Sequence, residues 1–166
     1  MKRSFFASAL TAGLVAGTLD ITAACIQAYL KTGTTPSQVL KYVASGAVDP
    51  KTFSNDTMLA VAGLLVHFTI AILFAFFFFF LAKLIPSLVK YPILIGILYG
   101  VFVWSTMRFF SLPYISRLSV KPIIGQEAIK NAAIAAAIIV VCVGIPVVLL
   151  ARKYFRTKSL KTKILR

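Results

Sequence analysis

Negative charge is what this chain lacks most. Asp20, Asp49, Asp56 and Glu127 are its only side-chain carboxylates, against 18 Lys and Arg, and the net charge is +14. Charged residues of both signs make up only 13% of 166 residues, about half the share a water-soluble domain carries. Histidine occurs once, at His67, which excludes a bis-histidine haem and leaves His67 with Met107 as the one formal axial pair. The two cysteines, Cys25 and Cys142, have no CxxC spacing. No clustered ligand set for zinc or another metal accompanies them. Both fall inside apolar runs at different depths, so they are expected as small core residues without a disulfide between them. No nucleophile stands beside a recognisable base. A soluble domain, an internal repeat and a low-complexity linker are missing as well, and no cofactor is expected.

What the chain does have is apolar sequence. Hydrophobic residues reach 60%, and a chain so composed would expose more apolar surface in water than its charges could offset. Lipid is the solvent that fits. Four runs, Phe5–Leu30, Met58–Ala82, Tyr91–Phe110 and Ala128–Ala151, each supply the roughly 20 mostly apolar residues needed to cross a hydrocarbon core. Lipid offers no hydrogen-bonding partner to open backbone, so each run is read as a helix. The expected fold is all-α: an integral membrane four-helix bundle forming one domain over residues 1–166, with helices near 5–30, 58–82, 91–110 and 128–151.

A signal peptide competes for the first run, because Lys2 and Arg3 precede an apolar stretch and Thr22-Ala23-Ala24-Cys25 faintly resembles a lipoprotein cleavage site. Asp20 interrupts that stretch, the run is long, and Thr22 stands where a large aliphatic residue belongs. A spanning helix is the better reading.

Orientation follows from Lys and Arg counts. With four spans both ends share a side, which carries Lys2, Arg3, Lys83, Lys90 and seven residues of a basic tail, 152–166. Those eleven outnumber the seven of the other side: Lys31, Lys41, Lys51, Arg108, Arg117, Lys121 and Lys130. Both termini are therefore expected in the cytoplasm, with the tail against anionic headgroups at about 1 kcal/mol per basic residue. In a soluble protein net +14 would point to nucleic acid; here the charges flank apolar runs, and membrane lipids are the expected partners rather than nucleic acid.

The first loop carries its own helix signal. Thr35-Pro36-Ser37-Gln38 reads as an N-cap, a proline at the first position and a capping box. Val39, Leu40 and Val43 give an apolar face and Gly46 a stop, so a short helix over 36–45 is expected on the outer surface or dipping into the bundle mouth. The second loop, Lys83–Lys90, is tight. The third, Ser111–Glu127, holds Pro113 and Pro122 and is irregular.

Four polar residues stand out inside or beside the spans: Asp20, His67, Arg108 and Asn131. At 1.5 Å per residue Asp20 and His67 lie at nearly the same depth, in the outer half; Arg108 and Asn131 lie nearer the outer surface. Gly13, Ala16, Gly17, Asp20, Ala24 and Gln27 share one helix stripe, and Ala60, Gly63, His67, Ala71 and Ala75 another. Gly13 and Gly17, Gly63, and the Gly96/Gly100 pair are expected at helix–helix contacts, with Asn131 and Ala135 extending a small face on the fourth helix. Asp20 with His67 reads either as a hydrogen-bonded clamp between two helices or as a protonatable site. Phe76–Phe80 is expected as lipid-facing or partner-facing bulk, and Trp104, Tyr114 and Tyr154 as interfacial anchors.

Several of these residues carry a resemblance. Ala16-Gly17-Thr18-Leu19-Asp20, Val39-Leu40 with Ala44-Ser45-Gly46, His67-Phe68 with Ile70-Ala71, and Tyr99-Gly100 with Met107 resemble a widespread group of small, uncharacterised bacterial inner-membrane proteins. Arg108-Phe109-Phe110 departs from the aliphatic stretch expected there. The resemblance implies a four-helix protein of the bacterial inner membrane and brings no activity with it.

Three functions compete. The first is a non-catalytic accessory or assembly subunit, or a homo-oligomer, packed through the glycine stripes against a partner membrane protein or copies of itself. The second is a proton- or ion-coupled transporter or channel subunit using Asp20 and His67. The third is a membrane enzyme acting on a lipid or lipid-linked substrate, with Asp20, His67 and Arg108 at the headgroup.

Overall fold

Helix ends in this chain are set by local side-chain chemistry. The structure, a computed structural model, describes residues 4–109 and 123–164, and residues 158–164 by their backbone alone. Lys2, Arg3, Phe110, most of the third loop (Pro113, Tyr114, Arg117, Lys121 and Pro122 among it) and Arg166 lie outside the described residues. Helix α1 (Phe5–Thr32) starts where the Ser4 hydroxyl accepts the Ala7 N–H at 3.1 Å. It stops at Gly33, whose φ of 67° is left-handed and whose N–H donates to the Tyr29 carbonyl at 2.8 Å. Thr35 and Gln38 then form the capping box that opens α2 (Pro36–Ala47), the Gln38 side chain accepting the Thr35 N–H at 2.8 Å. A single 3₁₀ turn, Pro50–Thr52, leads to Asn55, which caps α3 (Asp56–Leu84) by accepting the Met58 N–H at 2.9 Å.

A second 3₁₀ turn, Pro86–Val89, reverses the chain into α4 (Pro92–Ser105), which runs on as a π turn to Phe109. Helix α5 (Gln126–Ile139) passes through a π segment, Val140–Gly144, into α6 (Ile145–Ile164). Pro146 accounts for that segment. It has no N–H to give the Cys142 carbonyl one turn earlier, and its ring crowds that carbonyl, so the helix widens there. Among the described residues the chain is all-helical and has no strand. Four stretches, Phe5–Thr32, Asp56–Leu84, Pro92–Phe109 and Gln126–Thr157, are long and apolar enough to cross a membrane.

Two features depart from the expectations. The basic tail is not a separate segment: α6 carries on to Ile164, because nothing after Pro146 breaks it and Lys, Arg and Leu favour helix. The phenylalanine run is not one lipid-facing wall either. Phe78 and Phe79 are fully buried, whereas Phe77 and Phe80 are exposed. At 100° per residue five consecutive positions must cover both faces of a helix.

Packing is closest where side chains are smallest. A Cβ on Gly13 would lie 2.6 Å from Ile72 Cα, and one on Gly17 2.9 Å from the Phe68 ring, so both glycines pack α1 on α3 within one chain. Gly96 and Gly100 meet Ile145 and Val140 the same way. Gly63 meets α2, where any side chain would strike the Leu40 carbonyl. The Lys41–Asp56 ion pair, 2.6 Å, spans the same contact but is mostly exposed on the Asp56 side, and contributes only about 0–1 kcal/mol.

The closed core sits at the end carrying both termini, where Phe5 meets Tyr154 and Phe79 edge-on and Phe155 closes on Phe79. Ala9, Ala12, Ala16, Val147, Val148 and Ala151 fill it. Towards the far end this packing stops: the buried residues of α1 end at Gly17, and α5 has none. Tyr99 ties α4 to α3 at the boundary, its hydroxyl donating to the Phe74 carbonyl at 2.6 Å.

Candidate functional site

Three of the four apolar spans bring polar side chains to the level where the closed core ends. Helix α3 supplies His67, one turn beyond Gly63 on the same stripe. Its Nε2 lies 2.9 Å from the Gly17 carbonyl oxygen of α1. A carbonyl only accepts, so Nε2 carries the hydrogen and donates it. Nδ1 then has no hydrogen-bond partner among the described residues. The neighbouring Phe68 ring stands edge-on to the imidazole at 5.6 Å and packs over Gly17, which fixes the height of α3 against α1.

Helix α1 supplies Asp20, three residues beyond Gly17. Its side chain is half-buried and within electrostatic reach of His67. Among the described residues it has no ion pair and no hydrogen bond. The clamp between α1 and α3 therefore runs from His67 to backbone, and the Asp20 carboxylate is left over. The third group comes from the π segment. Cys142, half-buried and with a free thiol, is also within electrostatic reach of Asp20. Pro146 was the available signal for this convergence, since it predicts a disturbed turn at Cys142; spacing along a regular helix gives no such hint.

The other two polar residues stand apart. Arg108 is half-buried on the π turn after α4, and Asn131 half-buried on α5. Neither is hydrogen-bonded to Asp20 or His67. Among the described residues no group of three or more His, Cys, Asp or Glu is placed to hold a metal ion. What the arrangement offers is a carboxylate with unused acceptor capacity beside an imidazole with one free nitrogen, in otherwise apolar helices. It can bind a cationic or hydrogen-donating group, or pass a proton. Compared with family models, curated proteins and solved structures, the chain matches none, so its function is argued from its own residues.

Proposed function

We propose that this is an integral protein of a bacterial inner membrane, with both termini cytoplasmic. In that membrane it is a non-catalytic subunit that assembles with a partner membrane protein or with further copies of itself. The observation that carries the reading is the unpaired Asp20. A carboxylate within a bilayer is costly and is normally paired with a cation or hydrogen-bond donors. Among the described residues no side chain forms an ion pair or a hydrogen bond with it, and none in the adjoining far half of α1 or in α5 is fully buried. A neighbouring helix bearing a donor or a basic side chain would satisfy the carboxylate and cover those faces. The glycine stripes do not serve this purpose, because Gly13, Gly17, Gly63, Gly96 and Gly100 are all occupied within the chain.

The test is gentle purification of the tagged protein from its own membrane, beside an Asp20→Ala variant, with mass measured for both. A stoichiometric complex of the parent protein, reduced roughly tenfold by the substitution, is the expected result. Two equally stable complexes would remove Asp20 from the interface, and two monomers would end the reading.

A second reading, a proton-coupled transporter subunit, is favoured by one observation: His67 keeps Nδ1 free beside Asp20. In proteoliposomes Asp20→Asn should then abolish proton-coupled flux. A flux and a pH dependence unaffected by that change would dispose of it.

A further inference from the structure

The four carboxylates are distributed unevenly, and the consequence falls at the opposite end of the molecule. Asp20 lies in the far half of α1, Asp49 in the α2–α3 connection, and Asp56 and Glu127 in the first turns of α3 and α5. All four are thus towards the far end. The terminal end has no side-chain carboxylate, yet α6 carries Arg152, Lys153 and Arg156 there. None of these three side chains has an ion pair or hydrogen bond among the described residues. Their counter-anions have to come from outside the chain.

The three are also shaped into a site. With Leu149 and Thr157 they line a groove of about 370 Å³ on one face of α6. Positions 149, 152, 153, 156 and 157 follow the three–four spacing of a single helix face. The opposite face, through Val148, Ala151 and Phe155, is packed into the core and holds α6 in place. The groove is amphipathic along its length: Leu149, 42% exposed, borders its apolar end and the three cations its polar end. The Thr157 hydroxyl donates to the Lys153 carbonyl at 2.8 Å, so its oxygen remains only as an acceptor. Tyr154 meets Phe5, the first residue of α1, and α6 touches the Pro86–Val89 turn. The groove therefore lies where helices begin and end, which in a bilayer is the headgroup level.

From this we infer that the groove holds the phosphate of an anionic phospholipid, with Arg152, Lys153 and Arg156 around the phosphodiester and the acyl chains descending past Leu149. Arginine suits the task because its planar fork matches phosphate oxygens two at a time. A free phosphate would use the same cations but gain nothing from Leu149, and an acidic protein segment would not need the groove to start at the apolar edge. The inference rests on the membrane reading above and on its placing this end at the cytoplasmic, anionic leaflet.

The experiment is native mass spectrometry of the full chain in detergent, titrated with phosphatidylglycerol and, separately, phosphatidylcholine of the same acyl chains. The wild-type chain should retain phosphatidylglycerol in preference. R152Q/K153Q/R156Q should lower that retention by roughly tenfold or more, given the electrostatic contribution of each cation. K158Q/K161Q/K163Q removes equal charge further along the same helix and should leave it close to wild type. Arg156→Glu alone, at an exposed position, repeats the test should the triple variant not fold, and should lower retention too. Equal losses in the groove and tail variants would mean diffuse charge attraction and overturn the site. So would full displacement by excess inorganic phosphate, which would make the ligand a free anion, or the absence of any lipid preference. Alkaline carbonate washing of native membranes separates the two levels. A chain that washes out refutes the membrane reading, whereas one that stays but shows no preference refutes the lipid site alone.

Discussion

Replacing Gly144 with leucine should prevent the bundle from forming. Gly144 is the point where the fourth span rests directly on the backbone of α4. A Cβ there would collide with the Gly96 carbonyl oxygen and lie 2.7 Å from the Gly100 nitrogen. Both obstacles are backbone within a helix, so no rotamer change relieves them. The contact is reciprocal, since Gly96 and Gly100 are themselves pressed against Ile145 and Val140 Cα atoms. Overpacking a rigid core costs about 1–3 kcal/mol when side chains can give way, and more when backbone must move. In the membrane proposed for this chain there is a further reason to expect a large effect: helices gain little by leaving lipid for each other, so close packing would supply most of what holds them together. Gly144→Leu should therefore be lost as a monodisperse species in detergent, on a scale of about 3 kcal/mol or more. Gly144→Ala should lower the thermal midpoint less, with the same sign. Val141→Leu, three residues away on an exposed position, should change stability by less than about 0.5 kcal/mol. A Gly144→Leu protein that unfolds at the wild-type temperature would show that the two backbones do not meet there.

Gly144 was not legible in the sequence, and the reason is physical. The small residues of α1, α3 and α4 recur at three or four positions, which is the period of a regular helix, so Gly13, Gly17, Gly63, Gly96 and Gly100 could be placed on faces by counting. Gly144 stands alone on its span, and the π segment that it closes shifts the phase of the positions within and after it. Counting on from Asn131 and Ala135 through that segment gives the wrong face. The α2 cap was legible for the opposite reason: Thr35 and Gln38 act within three residues of each other, so no tertiary knowledge is needed. The site was legible in part. Depth and face brought Asp20 and His67 to one level, but which atom His67 would bond was beyond counting, because every helical residue carries a carbonyl and nothing in the sequence marks that of Gly17. Phe76–Phe80 shows the same limit. Its composition suggests one outward-facing wall, and its geometry divides it between surface and core.

Replacing Gly63 with leucine should release α2 without opening the bundle. The obstacles are the Leu40 carbonyl and the Ala44 nitrogen, 3.1 Å from the added Cβ, both backbone atoms of α2. Unlike α4 in the previous case, α2 is tied to the rest mainly through this face, with a smaller contact on α1 and the Lys41–Asp56 pair, which is too weak to hold it. It can therefore move off as a unit. A free helix of 12 residues is marginal in water, so once displaced it should fray. Hydrogen exchange across Pro36–Ala47 should accelerate by roughly 10- to 100-fold, the equivalent of the 1–3 kcal/mol that overpacking typically costs. Exchange across Gly13–Gly17 should stay as in the wild type, because the α1–α3 contact is made lower down by Ile72, Phe68 and Ala71. The two windows have to diverge. If both accelerate together, α2 is part of the same cooperative unit as α1 and α3. If neither does, Gly63 does not lie under it. Divergence would also spare the polar level, one turn beyond Gly63 on the same stripe. The His67 bond to the Gly17 carbonyl belongs to the α1–α3 contact, so the ring should keep its wild-type reactivity toward a histidine-modifying reagent.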